Sequence, residues 1–221
     1  MDYFLSSQQC LAVETSEESG TARDFTKTKN IEYNSTPTSI EVSIQKALDA
    51  VQSNDVELHM ATSGCLHYIE RFVYGLAVSV KEMDAIHVNK EHYYIDGGFS
   101  NSASPLYKCL LMWDKKEEQY CGMAVFYFGY DIVTGRFLYL EDLFIDEHFR
   151  GKGYGSLFMA TLALIAKGAG GVGFVWQALD WNTRSLDFYG KIGAKVLDGL
   201  LTTRFSGAAL KDFVESRHSG V

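Results

Sequence analysis

The chain has few cysteines, and they do not form the pattern of a metal site. Cys10, Cys65, Cys109 and Cys121 are spread over 221 residues, with no C-x-x-C pair and no histidine at metal-ligand spacing. The sequence also lacks a G-x-x-x-x-G-K-[ST] loop, so a nucleotidase of that type is not favoured. We therefore expect reduced thiols in a cytoplasmic protein that binds no metal.

The sequence shows no recognisable targeting signal, and we expect no membrane-spanning segment. The first five residues include no basic region and no long apolar run, and three glutamates between positions 14 and 18 argue against a transit peptide. Residues 154–176 carry a single charge, Lys167, and are long enough to span a membrane. However, the glycine-rich segment 168–171 would break such a helix, and it indicates a loop between a buried helix and a strand. We expect no membrane contact.

Positive charge is also scarce. Lysine and arginine number 20 against 28 acidic residues, which gives a formal net charge of -8. An acidic chain is a poor general binder of nucleic acid, whereas it attracts small cationic substrates. With 47% hydrophobic residues, the chain can bury one good core with an appendage.

The chain divides into three parts. Residues 1–37 are rich in Ser, Thr and acids without an apolar period, so we expect a disordered tail. Residues 38–55 contain apolar residues at helical spacing and predict an amphipathic helix. Residues 56–221 predict one α/β domain. Its predicted strands are 56–62, 106–113, 120–130, 137–145 and 172–179, with two more after Gly193; its predicted helices are 65–80, 156–167 and 182–191, with a helical turn capped near Asn89.

A glycine-rich segment follows an apolar strand-like run and opens a helix-like one. Its residues are Arg150, Gly151, Lys152, Gly153, Tyr154, Gly155 and Ser156. Glycines let a backbone approach a phosphate closely, and the free N–H groups of the first helical turn point at it. The spacing lacks the third glycine position of the dinucleotide fingerprint. Arg150, Gly153 and Gly155 instead resemble the R-x-x-G-x-G pyrophosphate loop of the GCN5-related acyl-CoA N-acetyltransferase superfamily.

Two neighbouring carboxylates, Glu141 and Asp142, lie inside an otherwise apolar predicted strand. Strict alternation would send their side chains to opposite faces of the sheet, where a charge is costly unless it is paired or functional. A bulge would re-aim one of them and leave strand N–H groups free for a ligand. The alternative is that both carboxylates accept hydrogen bonds from neighbouring loops.

A second polar segment covers residues 180–189. Asn182 can cap the helix that follows, and Ser185 and Tyr189, four residues apart, share one face of it. Tyr189 taken alone is more typical of a core or rim residue than of a catalyst.

Together these segments resemble the diamine, or spermidine/spermine, N-acetyltransferase family over roughly residues 57–213. The resemblance rests on Tyr127–Asp131, Leu138–Phe144, Arg150–Ser156, Trp181–Asn182 with Ser185 and Phe188–Tyr189, and Gly193–Ala194.

The family implies a central mixed, mostly antiparallel twisted sheet flanked by helices, acetyl-CoA as the donor, a homodimer, and direct transfer to a primary amine. It makes Glu141 the base and Tyr189 the acid. It implies cofactor contacts from Leu143, Phe144, Ile145, Arg150, Gly151, Lys152, Gly153, Tyr154, Gly155, Ser156, Asn182 and Ser185.

The chemistry of amine acetylation agrees with these roles. An alkylamine with a pKa of about 10.4 is neutral in about one molecule in 2500 at pH 7, which adds roughly 4.6 kcal/mol to the barrier, so a base is useful. A tyrosine can protonate the departing thiolate. Cys109 and Cys121 have no adjacent histidine, so a covalent route is disfavoured.

The substrate class follows less directly. Val133 and Arg184 replace an aromatic residue and a proline that are usual in the polyamine enzymes, and a related branch that acetylates thialysine shares the main motifs. We expect Asp131 to approach Asp142 across the turn at residues 134–135 and to hold a second ammonium, which favours a diamine.

Two further hypotheses are that the chain is a non-catalytic acyl-CoA-binding module, or that it is a protein-lysine acetyltransferase.

Overall fold

The computed structural model describes residues 39–51, 53–100, 104–197, 199 and 201–218. The predicted tail of residues 1–37 lies outside them. Within these ranges every helix is too short or too polar to cross a membrane. They contain no group of three or more His, Cys, Asp or Glu residues that could hold a metal ion.

One five-stranded sheet forms the centre of the domain, with the strands in chain order β1 to β5. The first four strands pair antiparallel, and β5 runs parallel to β4. The predicted mixed, mostly antiparallel sheet is therefore confirmed. The strands are β1 Val56–Met60, β2 Lys108–Asp114, β3 Gln119–Asp131, β4 Gly135–Ile145 and β5 Gly173–Trp176.

Helices cover both faces of this sheet. They are α1 Ile40–Ala50, α2 Leu66–Val80, α3 Lys90–Asp96, α4 Tyr154–Gly168, α5 Thr183–Lys191 and α6 Gly207–His218. Strand β2 shows the two faces: Leu110 and Met112 pack with α4, whereas Cys109 and Leu111 pack with α2. Because each face is covered, β2 is a continuous apolar run and not an alternating one.

Helix α1, which lies outside the family resemblance, packs against α4. The helix lies within the predicted range of residues 38–55, and Ser39 caps its N-terminus, because the Ser39 hydroxyl accepts a hydrogen bond from the Val42 amide at 3.3 Å. Ile44 and Ala47 are buried in the same core as α4. Burial of a side chain such as Ile44 contributes about 1.5–3 kcal/mol. The amphipathic face that the sequence predicts therefore has α4 as its partner.

The segment after α5 departs from the prediction. The two strands expected after Gly193 do not occur among the described residues there, and α6 begins at Gly207. The apolar side chains that suggested strands are unsupported by packing: Val196 is 76% exposed and Leu201 is 92% exposed. Without a face to bury, an apolar pattern does not form a strand.

Candidate active site

The two neighbouring carboxylates lie at a bulge in β4. Val125 of β3 faces Asp142, while the next residue, Phe126, faces Leu140, so Glu141 has no opposite residue. A bulge cancels one step of the alternation between faces. Glu141 and Asp142 consequently line the same cavity of about 320 Å³, on the side of the sheet covered by α2 and α3. The structure therefore contains a bulge of the kind that re-aims one of the two carboxylates.

Strands β4 and β5 separate directly beside this bulge. Their pairing ends at Leu140 and Trp176, although β4 continues to Ile145. In the part of the chain that the structure describes, the outer edge of residues 141–145 has no strand partner. Its backbone groups can pair with an extended ligand, as an exposed strand edge does.

The glycine loop next to this edge leaves open space for an anion. Gly151 and Gly153 have φ angles of +82° and +84°, which favour glycine over other residues. No described heavy atom lies within 4 Å of the position that a Cβ would take at either residue. Helix α4 begins at Tyr154, so the N–H groups of its first turn open onto the same space. This geometry is that of an anion cradle.

A second cavity of about 440 Å³ joins the splayed edge, the loop and α5. It is lined by most of the residues that the sequence proposes for the cofactor, namely Leu143, Phe144, Ile145, Arg150, Gly151, Gly153, Tyr154, Gly155, Ser156, Asn182 and Ser185, and also by Tyr189. Asn182 caps α5, because its Oδ1 accepts from the Ser185 amide at 3.3 Å. Lys152 does not line the cavity; its Nζ lies 4.8 Å from the centroid of the Phe149 ring.

Several lining residues were not anticipated from the sequence. Leu76, Ser79 and Val80 of α2, together with Phe149, Trp181, Arg184 and Phe188, complete the wall of the larger cavity. The spacing of Leu76 and Val80 indicates only an apolar helix face, so no local signal marks them. Arg184 had one signal, since it replaces a proline that is usual in the family.

Tyr189 faces the larger cavity from α5. Its ring packs between Trp176, at 5.1 Å between centroids, and Phe188, at 5.4 Å. Burial raises the pKa of Tyr189 above its ordinary value. The hydroxyl therefore stays protonated at neutral pH and can donate a proton or a hydrogen bond.

Asp142 is the most strongly perturbed carboxyl group of the smaller cavity. Burial and, second, the charge of Glu141 raise the pKa of Asp142 to about 6. The same negative charge acts on the stacked rings of Tyr127 and Tyr139, 5.0 Å apart, where it adds to burial in raising their pKa values. A cation placed beside these groups would relieve the repulsion between the two carboxylates.

Asp131 does not belong to this cavity, so the expected approach of Asp131 to Asp142 is wrong. Asp131 faces Gly135 at the hairpin turn, whereas Asp142 faces Val125, six residues earlier on β3. Six strand residues span about 20 Å. The Asp131 carboxylate instead accepts the amides of Val133 and Thr134, each at 2.8 Å. Asp131 therefore stabilises the hairpin turn, and Asp142 lies farther along β4, away from that turn.

The two cavities adjoin along β4 and carry opposite charge. Asp96, Glu141 and Asp142 line the smaller one, and none of the described residues around it is a lysine or arginine. Arg150 and Arg184 line the larger one, which has no carboxylate among its described lining residues. The boundary between them falls between Asp142 and Leu143. An anionic and a cationic ligand can therefore meet end to end at this strand.

Comparison with known proteins agrees with this architecture. A family model described as the acetyltransferase (GNAT) family matches residues 75–194. Thialysine N-epsilon-acetyltransferase of Sus scrofa is 30% identical over 166 residues, which cover 71% of this chain and 96% of that protein. Spermidine/spermine N(1)-acetyltransferase-like protein 1 of Homo sapiens is 28% identical over 164 residues, covering 71% of this chain and 23% of that protein.

The fold is also shared with solved structures. An integron cassette protein from the mobile metagenome of V. cholerae superposes with a TM-score of 0.61 at 23% identity, covering 74% of this chain and 99% of that one. The family match and the pig relative extend over most of the described domain. This chain therefore belongs to the GNAT family of acetyltransferases, enzymes that take acetyl-CoA as a co-substrate.

Proposed function

We propose that this protein transfers the acetyl group of acetyl-CoA to a primary amine of a diamine or polyamine. The observation that carries the proposal is the pair of adjoining cavities, one lined by arginines and one by carboxylates, that meet between Asp142 and Leu143. Acetyl-CoA has an anionic nucleotide end and a neutral thioester end, and a polyamine is cationic. Each ligand has a cavity that suits its charge.

The larger cavity suits acetyl-CoA, which supplies the acetyl thioester. The open glycine loop and the first turn of α4 would hold the pyrophosphate, with Arg150 and Arg184 near its charge. The unpaired edge at Leu143, Phe144 and Ile145 would pair with the pantetheine amides. The thioester then lies where the two cavities meet.

Glu141 is the proposed base. It lies at the bulge, exposed, in the cavity that would hold the amine. By accepting the ammonium proton it would free the nitrogen lone pair for attack on the thioester, a step that costs roughly 4.6 kcal/mol for such an amine at pH 7. Asp142 is largely ionised above its pKa of about 6, so at neutral pH it would hold the amine in place as a counter-ion.

Tyr189 is the proposed acid. It lines the acetyl-CoA cavity, and its raised pKa keeps the proton on the hydroxyl at neutral pH. As the C–S bond breaks, negative charge develops on the sulfur, and the Tyr189 hydroxyl would donate to it as a general acid. No covalent acyl-enzyme is required.

A diamine fits the smaller cavity better than an amino acid does. Asp96 lines its α3 side, away from the bulge, and offers a second carboxylate for a distal ammonium. An α-carboxylate in the same place would meet like charge and no arginine or lysine among the described lining residues. The second candidate is transfer to thialysine, because the pig relative carries that name.

The test is steady-state release of CoA with spermidine, 1,3-diaminopropane, thialysine and a lysine peptide as acceptors. We expect turnover with spermidine and with 1,3-diaminopropane, and the loss of both activities in Glu141→Gln. Preferred turnover of thialysine would support the second candidate. Binding of acetyl-CoA without turnover of any amine would indicate a non-catalytic acyl-CoA-binding module. The homodimer and the cytoplasmic location expected from the sequence stay predictions.

A further inference from the structure

The glycine loop between β4 and α4 is held at both ends by side-chain hydrogen bonds. At its start, Arg150 Nε donates to the carbonyl of Ile145 at 2.8 Å, and the guanidinium carbon lies 5.7 Å from the centroid of the Phe144 ring. At its end, the Tyr154 hydroxyl donates to Asp114 Oδ2 at 2.8 Å. The two acceptors belong to different strands, β4 and β2. The loop is therefore attached to the sheet at two separate points.

Asp114 is a rigid anchor for the second attachment. It is the last residue of β2 and only 2% exposed. Its other oxygen, Oδ1, accepts the amides of Lys116 at 3.0 Å and Glu117 at 2.9 Å. Burial opposes ionisation, but these hydrogen bonds and the one from Tyr154 outweigh it and hold the pKa of Asp114 below its ordinary value. With three donors around it, the carboxylate has one orientation.

Lys152 also lies close to Tyr154 and Asp114. Its Nζ lies 4.8 Å from the centroid of Phe149 and 5.9 Å from that of Tyr154. Its charge is close enough to contribute to the lowered pKa of Asp114. This explains why Lys152, in the middle of the loop, lies outside the cavity that its neighbours line.

Between the two attachments, the glycines of the loop have no side chains that could hold it in place. Gly151 and Gly153 are in left-handed conformations, with open space where their side chains would be. Glycine loses more conformational freedom on ordering than any other residue. An untethered loop would therefore have to be ordered when a ligand binds, whereas a tethered loop is ordered when the protein folds.

We infer that Asp114 is a positioning residue for acetyl-CoA. Through its hydrogen bond with Tyr154 it holds the first turn of α4 and the glycine loop in the pyrophosphate-binding conformation before the ligand arrives. Asp114 lines neither cavity, so it acts through other residues, chiefly Tyr154. The inference rests on the proposed function, in which this loop binds acetyl-CoA.

The first test is Tyr154→Phe, which keeps the buried ring and removes the hydroxyl. We expect Kd and KM for acetyl-CoA to rise about fivefold or more, because a hydrogen bond to a charged acceptor is lost. The kcat at saturating acetyl-CoA should fall by a smaller factor than the one by which KM rises. The kcat/KM for S-acetylpantetheine, which has no pyrophosphate, should likewise fall by a smaller factor than the kcat/KM for acetyl-CoA.

Thr161→Val is the matched control. Thr161 lies on the same helix, is fully buried, and donates its hydroxyl to the Leu157 carbonyl at 2.8 Å without lining either cavity. This variant should lose some stability and keep its affinity for acetyl-CoA. An equal loss of affinity in Thr161→Val and Tyr154→Phe would overturn the inference, since it would reflect a weakened helix only.

Asp114→Asn separates positioning from electrostatics. The side-chain oxygen of the new asparagine can still accept either from the amides of Lys116 and Glu117 or from the Tyr154 hydroxyl. A positioning role therefore predicts that Asp114→Asn binds acetyl-CoA more weakly than wild type but more tightly than Tyr154→Phe does. If Asp114 acted by repelling phosphate, Asp114→Asn would bind acetyl-CoA more tightly than wild type, and the inference would be wrong. Calorimetry on folded protein distinguishes these outcomes.

Wild-type protein that bound no acetyl-CoA would overturn the proposed function as a whole. Wild-type protein that binds acetyl-CoA, with unchanged affinity in Tyr154→Phe, would overturn this inference alone.

Discussion

Glu141 and Asp142 are consecutive in sequence and yet line one cavity, because β4 bulges opposite Val125 and Phe126. The same displacement returns Leu143 to the opposite face, where it lines the neighbouring cavity. One extra residue in a strand thus sets the boundary between an acidic cavity and a cationic one. The expected outcomes below follow from this arrangement.

A negative side chain in the glycine loop should abolish tight cofactor binding. Gly153→Glu would place a carboxylate in the open space that we assign to the pyrophosphate, so Kd for acetyl-CoA should rise at least about tenfold. Gly207→Glu is the control, since Gly207 also has a positive φ angle and open space around it but lines neither cavity. Calorimetry that finds equal affinities for both variants would remove the loop from the site.

The loss of the Tyr189 hydroxyl should slow chemistry without affecting binding. Tyr189→Phe keeps the ring contacts with Trp176 and Phe188, and kcat should fall by about 10²- to 10⁴-fold because the proton donor is gone. Tyr74→Phe, at an exposed tyrosine of α2 outside both cavities, should retain wild-type kcat. A change of less than about threefold in Tyr189→Phe would make this tyrosine structural.

Because the pKa of Asp142 is raised, the free energy of unfolding should fall as pH rises through about 6. Its ordinary pKa is 3.8 and its folded pKa is about 6, so its contribution to stability is full below about pH 4 and is lost as the folded group ionises. Asp142→Asn stays neutral and should gain up to about 3 kcal/mol over wild type near pH 7. Urea denaturation at several pH values measures this.

The control for Asp142 is Asp131→Asn. Hydrogen bonds from the backbone of Thr134 and Val133 lower the pKa of Asp131, so this variant should lose stability at neutral pH and not gain it. It should also leave KM for spermidine unchanged, whereas Asp142→Asn should raise it. A gain in stability for both variants would show that general charge, not burial, governs the effect.

Asp96 should select for a second positive charge. Asp96→Asn is expected to raise KM for a diamine about threefold to tenfold while a monoamine of equal length is unaffected, because only the distal ammonium is near α3. Glu91→Gln is the matched control, an exposed acid of the same helix that does not line the cavity. Equal effects of the two variants on both amines would assign the result to long-range charge.

Local sequence signals predicted most of the fold and part of the site. Asn182 was recognisable as a cap, because capping depends on near neighbours in the chain. The acid pair inside an apolar strand likewise marked the place where a bulge would re-aim a carboxylate. Asp131 was misplaced because proximity to Asp142 depends on strand register, which the turn and the bulge set together. Asp96 gave no signal, since its role arises only when α3 lies over the sheet.

The prediction of two strands after Gly193 was wrong because strand formation, like strand register, depends on tertiary contacts. Residues such as Val196 have strand propensity, but a strand forms only where a partner edge and a face to bury are present. The neighbouring exposed residues of that segment find neither in the described part of the domain. Propensity without tertiary support was therefore a poor guide there.

The most direct test of the account is a competition between two acceptors in one reaction. Equal concentrations of spermidine and thialysine, with limiting acetyl-CoA, yield acetylated products whose ratio by mass spectrometry equals the ratio of their kcat/KM values. The acidic cavity at Glu141, Asp142 and Asp96 predicts that acetylspermidine predominates at least about tenfold, and that Asp142→Asn and Asp96→Asn reduce this preference. A wild-type mixture dominated by acetylthialysine, with a ratio that neither variant alters, would contradict the account.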